Sequence, residues 1–223
     1  ILNYDGAQNL ANIVTNGSSV FVPTLNYKNN SIKFIGELSE NKEISYKENL
    51  FLSSIINDID ELSDEAYLYF ASIKRKQSDT SSEKFFAFSP QLVLSGLQDI
   101  KLIQGDVVTI FSNDDILKLI QQFTIENRKL TPEIIYEKSN TLIEAGTIKE
   151  LVSRFIYTVS GSVAKPGQYL VAGNSSLENL INISGGFTGL ANKKNINIIY
   201  PKLDNEKNVI LENTDVDIEK ENP

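Results

Sequence analysis

The chain has 223 residues, 41% hydrophobic and 22% charged, enough for two small cores or one medium one. Its net charge of −8, with basic residues scattered among the acids, offers no stripe that could displace counterions from a nucleic acid, and it disfavours docking on anionic lipid. Cys and His are both absent, which excludes a disulfide framework, a thiolate site, a Ser-His-Asp triad and a His-ligated metal. No apolar run approaches the roughly 18 to 20 residues of a membrane-spanning helix. The opening at Ile1-Leu2-Asn3-Tyr4, in mid-pattern and without methionine, is expected of a piece of a longer protein.

In chain order, residues 1–25 read as the tail of a preceding unit. Asn16-Gly17-Ser18-Ser19-Val20-Phe21-Val22-Pro23 resembles Gln104 to Phe111, and Ile1 to Asp5 resembles Lys84 to Phe88. Residues 31–112 read as a first complete unit. Ile32 to Ile35 and Glu43 to Tyr46 form a hairpin around Gly36, shorter than its later counterpart. Leu52, Ile55, Ile56 and Ile59 supply a helix face, and Ala66 to Ile73 the next strand. Lys84 to Phe88 makes a fourth strand, Ser89-Pro90 a helix start or turn, and Gly105-Asp106 leads into a fifth strand at Val107 to Phe111.

Residues 113–154 read as a helical connector. Ile116, Leu119, Ile120 and Phe123 share one face of a helix over 113–126. A second helix over 147–154 opens with Thr147 and Glu150 as a capping box. So patterned a connector is expected to pack on the flanking units and to fix their tilt.

Residues 155–223 repeat the first pattern about 125 residues later. Phe155 to Val159 is a strand. Lys165-Pro166-Gly167 is a turn, with proline setting φ and glycine free for positive φ. Gln168 to Val171 returns. Ser175 and Glu178 suit a capping box before Leu177, Leu180, Ile181 and Ser184, and Gly185-Gly186 stops the helix. Asn195 to Tyr200 and Val209 to Leu211 are the closing strands. This unit stops after its fourth strand and leaves an open sheet edge. The orphan strand Val20 to Val22 is expected to fill such an edge, in the same chain or a neighbour.

Strand, Pro-Gly turn, strand, helix ending in Gly-Gly, then strand resembles the SLBB domain, a soluble-ligand-binding β-grasp. The resemblance rests on Gly161 to Tyr169 (with Pro166 and Gly167), Leu177, Leu180, Ile181, Gly185 and Gly186. The first unit departs from it, with Ser39 to Lys42 in place of Pro-Gly and Asn57-Asp58 in place of the helix-ending glycines. Tandem copies with Gly105-Asp106 before a β-branched strand look most like bacterial outer-membrane polysaccharide export proteins. The resemblance implies an α+β fold of tandem β-grasp units, each a small mixed sheet wrapped on one helix. It further implies a non-catalytic, periplasmic, outer-membrane-associated role, with no cofactor and no metal. The partners it implies are other copies in a ring, an inner-membrane polysaccharide co-polymerase and the polysaccharide itself. β-Grasp domains of this kind also serve as glycan- or small-ligand-binding modules, which is the alternative reading.

The residues themselves offer few sites. Asp58, Asp60, Glu61, Asp64 and Glu65 supply carboxylates such as a glycosidase pair needs, but with no aromatic cleft around them they are expected to form an acidic solvated loop. The same run lacks the glycine and the distal Glu of a calcium loop. Lys74-Arg75-Lys76 is expected to face water. Tyr67 and Tyr69 alternate toward one face of a strand, as core residues do. Lys165 and Tyr169, at the Pro-Gly turn, are the candidate ligand contacts, since a tyrosine ring can stack on a sugar while its hydroxyl bonds outward.

Overall fold

A computed structural model describes residues 30–76, 82–126, 144–173, 176–203 and 209–220. The tail at 1–25, the strand expected at Val20 to Val22, and Ser175 lie outside them.

The larger sheet has six strands in the order β2-β1-β5-β3-β4-β6. They are β1 (Ser31–Gly36), β2 (Lys42–Ser45), β3 (Ala66–Lys76), β4 (Glu83–Phe88), β5 (Val107–Ser112) and β6 (Glu144–Ala145). The central pair β1 and β5 is parallel and its neighbours are antiparallel. A mixed α+β arrangement with this order is β-grasp-like. Ile32, Phe34, Ile73, Val108 and Ile110 point to one face of the sheet and form the first core with Leu52, Ile56 and Leu102.

The element covering that face is not the α-helix expected from Leu52, Ile55, Ile56 and Ile59. It is two 3₁₀ turns, Leu52–Ser54 and Ile59–Glu61. Polar side chains interrupt the apolar face and capture the backbone. Asp99 accepts from the amide and the hydroxyl of Ser53, and Asp58 accepts from the amide of Asp60. Leu52 and Ile56 still reach the core, because one turn suffices to bring residues four apart together.

A second core joins the sheet's other face to the C-terminal region. Tyr67, Phe70 and Ala87 meet Ile116 and Ile120 of α2 (Asn113–Glu126), Leu151, Val152 and Phe155 of α3 (Ile148–Phe155), and Leu170 and Ala172. Both helices therefore contribute to this one shared core. Thr147 caps α3 by accepting from the Glu150 amide, while the Glu150 carboxylate reaches back to the amide of Gly146. Phe155 ends this helix instead of starting the next strand. α1 (Pro90–Leu94) follows the Ser89 cap, as Ser89-Pro90 implies.

The remaining strands form two separate pairs, β7 (Ile156–Val159) with β8 (Gly167–Leu170), and β9 (Ile196–Leu203) with β10 (Val209–Val216). Between them lies α4 (Leu177–Ile183), capped by Ser176, which accepts from the Asn179 amide. The cap is thus one residue later than the Ser175–Glu178 box predicts.

The β7–β8 hairpin is no longer than β1–β2. Ser31↔Ser45, Ile32↔Ile44, Lys33↔Glu43 and Phe34↔Lys42 become Ile156↔Leu170, Tyr157↔Tyr169, Thr158↔Gln168 and Val159↔Gly167, each residue number raised by 125. The first hairpin is therefore not the shorter one expected: Ser39 to Lys42 in place of Pro-Gly changes the turn's composition and not its register.

Candidate functional site

The features that repeat are backbone ones, centred on glycine. Gly36 ends β1 at φ +95° and Gly161 follows β7 at φ +88°. Two residues later, the amide of Leu38 bonds to the carbonyl of Gly36 and the amide of Val163 to that of Gly161, both at 2.9 Å. Leu38 and Val163 each form an antiparallel bridge, to Leu62 and Phe187. Around these bridges Ser39 N bonds Glu61 O and Ala164 N bonds Gly186 O, both at 3.0 Å. Ser63 N bonds Glu37 O at 3.3 Å and Thr188 N bonds Ser162 O at 3.0 Å. One bonded clasp, tying the hairpin to the chain after the helical segment, is therefore made twice.

In the second clasp the glycine pair does what the first does without it. Gly185 and Gly186 sit at φ +81° and +83°, and a Cβ on Gly185 would lie 3.0 Å from the Cβ of Ala164. Their amides close α4 by bonding back to Asn182 and Ile181. Gly167, by contrast, does not take positive φ. It is the first residue of β8, opposite Val159, and the extended strand sets its backbone. Pro166 stands exposed just before it.

Of the two candidate ligand contacts, Tyr169 is internally engaged: its hydroxyl donates to the carbonyl of Lys165, across the turn. This bond spends the outward donor on the hairpin itself. Lys165 has an exposed side chain, while its amide donates to Ser184 O at 2.8 Å. The two residues are brought together, as one turn and not as two walls of a cleft.

Gly105 and Asp106 set the register of the central strands. The Gly105 amide bonds Ser31 O and the Lys33 amide bonds Asp106 O, both at 3.0 Å, with Gly105 at φ +85°. The Asp106 side chain is buried. It accepts from Arg75 Nε at 2.9 Å, from Arg75 Nη2 at 2.8 Å and from the Ile103 amide at 2.8 Å. Arg75 also donates to Lys101 O and lies over the Phe86 ring at 5.1 Å. The expectation that Arg75 faces water is overturned. A buried carboxylate one strand away needs a bidentate partner, and only a three-dimensional neighbour reveals that need. Lys74 pairs with Glu83 at 3.2 Å, and Lys76 is exposed.

The acidic run is engaged locally. Asp58 caps the second 3₁₀ turn and Glu61 pairs with Lys42. Among the described residues no group of three or more acidic side chains gathers as a metal site. Tyr67 and Tyr69 meet edge to face at 5.5 Å within the second core. The Tyr67 hydroxyl donates to Leu170 O at 2.8 Å, and Ala172 N donates to Tyr69 O at 2.8 Å. Burial, first of all, pushes the Tyr67 phenol well above its usual range, and the nearby Tyr69 and Tyr169 add to this.

The clasp, the helix stop and the hairpin all fall in one segment, and residues 156–209 match the SLBB domain family. The SLBB match is confined to the C-terminal part of the chain. No curated protein matches the chain. The match covers the second clasp and stops short of β10's end, so the SLBB signature lies in the glycine-rich copy and not in the larger sheet. No helix among the described residues is long and apolar enough to cross a membrane.

Proposed function

We propose that the chain is a non-catalytic structural module of a periplasmic polysaccharide export protein, built of two β-grasp units in tandem, the second being the SLBB domain. Its work is geometric. Two small units held at a fixed tilt by α2 and α3 form part of an export channel or its periplasmic collar, with further copies completing a ring. The glycan passes along that ring, delivered by an inner-membrane polysaccharide co-polymerase.

The observation carrying this reading is the SLBB match over residues 156–209, since SLBB domains are found in polysaccharide export proteins. The clasp made twice at a spacing of 125 residues supports the tandem arrangement. The turn at Lys165 and Tyr169 favours structure over ligand contact, because its donor is already used.

Deleting the gene in its source bacterium tests the proposal. The expected result is loss of surface or secreted polysaccharide with accumulation inside the envelope, restored by the intact gene. Unchanged surface polysaccharide, or turnover of a polysaccharide by the purified chain, would overturn it.

A further inference from the structure

In the larger sheet, β5 lies between β1 and β3. Among the described residues nothing occupies the matching place between β7 and β9, and those two strands are not paired with each other. The side chains register the difference. Phe34, Leu52 and Ile73 are each 0% exposed, whereas Val159, Leu177 and Ile198, their counterparts 125 residues on, are only half-buried. The glycines register it too. A Cβ on Gly36 would lie 1.9 Å from the carbonyl oxygen of Ile110 in β5, while a Cβ on Gly161 would meet nothing within 4 Å.

We infer that the slot between β7 and β9 is a docking site for the segment Asn16 to Pro23 of a second copy of this chain, added as a fifth strand parallel to β7. That segment matches Gln104 to Phe111, which fills the slot in the first unit. Gly17 stands for Gly105, and Val20 and Val22 stand for the inward-facing Val108 and Ile110. A neighbouring copy is favoured by reach. The β7–β8 hairpin attaches through Leu170 and Ala172 to Tyr67 and Tyr69, at the start of β3, whereas Ser31 lies beyond the level of Lys74, roughly 20 Å away along the sheet. The seven residues between Pro23 and Ser31, about 25 Å at full stretch, would have to cover that distance and the two strand spacings from β3 across β5 to β1 as well. Each copy giving one strand and taking one makes a heterologous contact, which can close into a ring. The inference stands whether or not the chain serves export.

Thr109 is the partner of Ile35 in the first unit, so Phe21 belongs opposite Ser160 in the second. The chain has no cysteine, so Phe21→Cys and Ser160→Cys chains can be prepared separately and mixed under mild oxidation. The expected product is a disulfide-linked heterodimer, formed at least ~10-fold more than with Thr158→Cys two residues out of register. Gly161→Ala on the receiving chain should abolish it, since the added methyl meets the incoming carbonyl. Val22→Asp on the donor, outside the receiving fold, should do the same. A heterodimer that forms regardless of register, or survives both blocking changes, overturns the inference. So does cross-linking only within a chain carrying both cysteines, which would assign the strand to the same copy, and so does no cross-link at all.

Discussion

Two glycines in the same place in the two clasps carry different burdens. Gly36→Ala adds a methyl where the Ile110 carbonyl already sits and forces a side chain onto φ +95°. The strain and the displaced backbone together should cost on the order of 3 kcal/mol or more. Gly161→Ala meets only the strain of positive φ, about 1 to 2 kcal/mol. Chemical denaturation of both variants checks the order, and equal losses would contradict it. Asp106→Ala strands the Arg75 guanidinium and the Ile103 amide, a loss of about 3 to 5 kcal/mol by the same measurement. Tyr67→Phe removes one buried hydrogen bond to Leu170 O, worth about 1 kcal/mol. The Tyr67 phenol is raised in the folded chain, so its contribution is complete below the ordinary tyrosine value near 10 and is lost as pH rises above it. Melting profiles of Tyr67→Phe should therefore fall less steeply above about pH 10 than those of the parent. An unchanged alkaline arm would count against the buried phenol.

At the level of elements, α2 opens on a reciprocal cap that the sequence reading passed over. Ser112 Oγ accepts from the Asp115 amide at 3.0 Å, and the Asp115 carboxylate accepts from the Ser112 amide at 3.4 Å. The hydrogen bond from Ser112, with Lys118 nearby, holds the Asp115 carboxyl below its usual range. A lowered carboxyl stabilises the fold above its unfolded value, near 4, and that stabilisation disappears as pH falls through the folded one. Asp115→Asn should flatten the acid arm of the melting curve and leave the alkaline arm alone. Strands and hairpins were legible because alternating β-branched and aromatic residues leave few other options, as at Ile32 to Ile35 and Tyr157 to Val159. The segment from Leu52 to Ile59 was misread because apolar spacing alone cannot register that Asp99, some 46 residues on, would take the Ser53 amide. The two-residue strand β6 was missed, for Glu144 and Ala145 carry no strand pattern and pair only because β4 offers an edge.

For the whole molecule, the glycines of the SLBB segment were readable, whereas the bonds equating Gly36-Leu38-Leu62 with Gly161-Val163-Phe187 were not. Leu62 and Phe187 share no signature; only their backbone partners do. The second core likewise hid in the sequence, because Tyr67, Ile120, Val152 and Leu170 come from four separate elements. Beyond these differences, a fifth strand closes over the first clasp, whereas among the described residues no strand lies over the second. Residue-resolved amide hydrogen exchange on the dilute, monomeric chain measures that contrast most directly. The amides of Lys33 and Glu37, which donate to Asp106 and Ile110, should be protected to the level of global unfolding. Those of Thr158 in β7 and Ser162 just beyond it, their counterparts, should exchange about 100-fold faster or more. Equal protection at the two pairs in the monomer would contradict an open second unit.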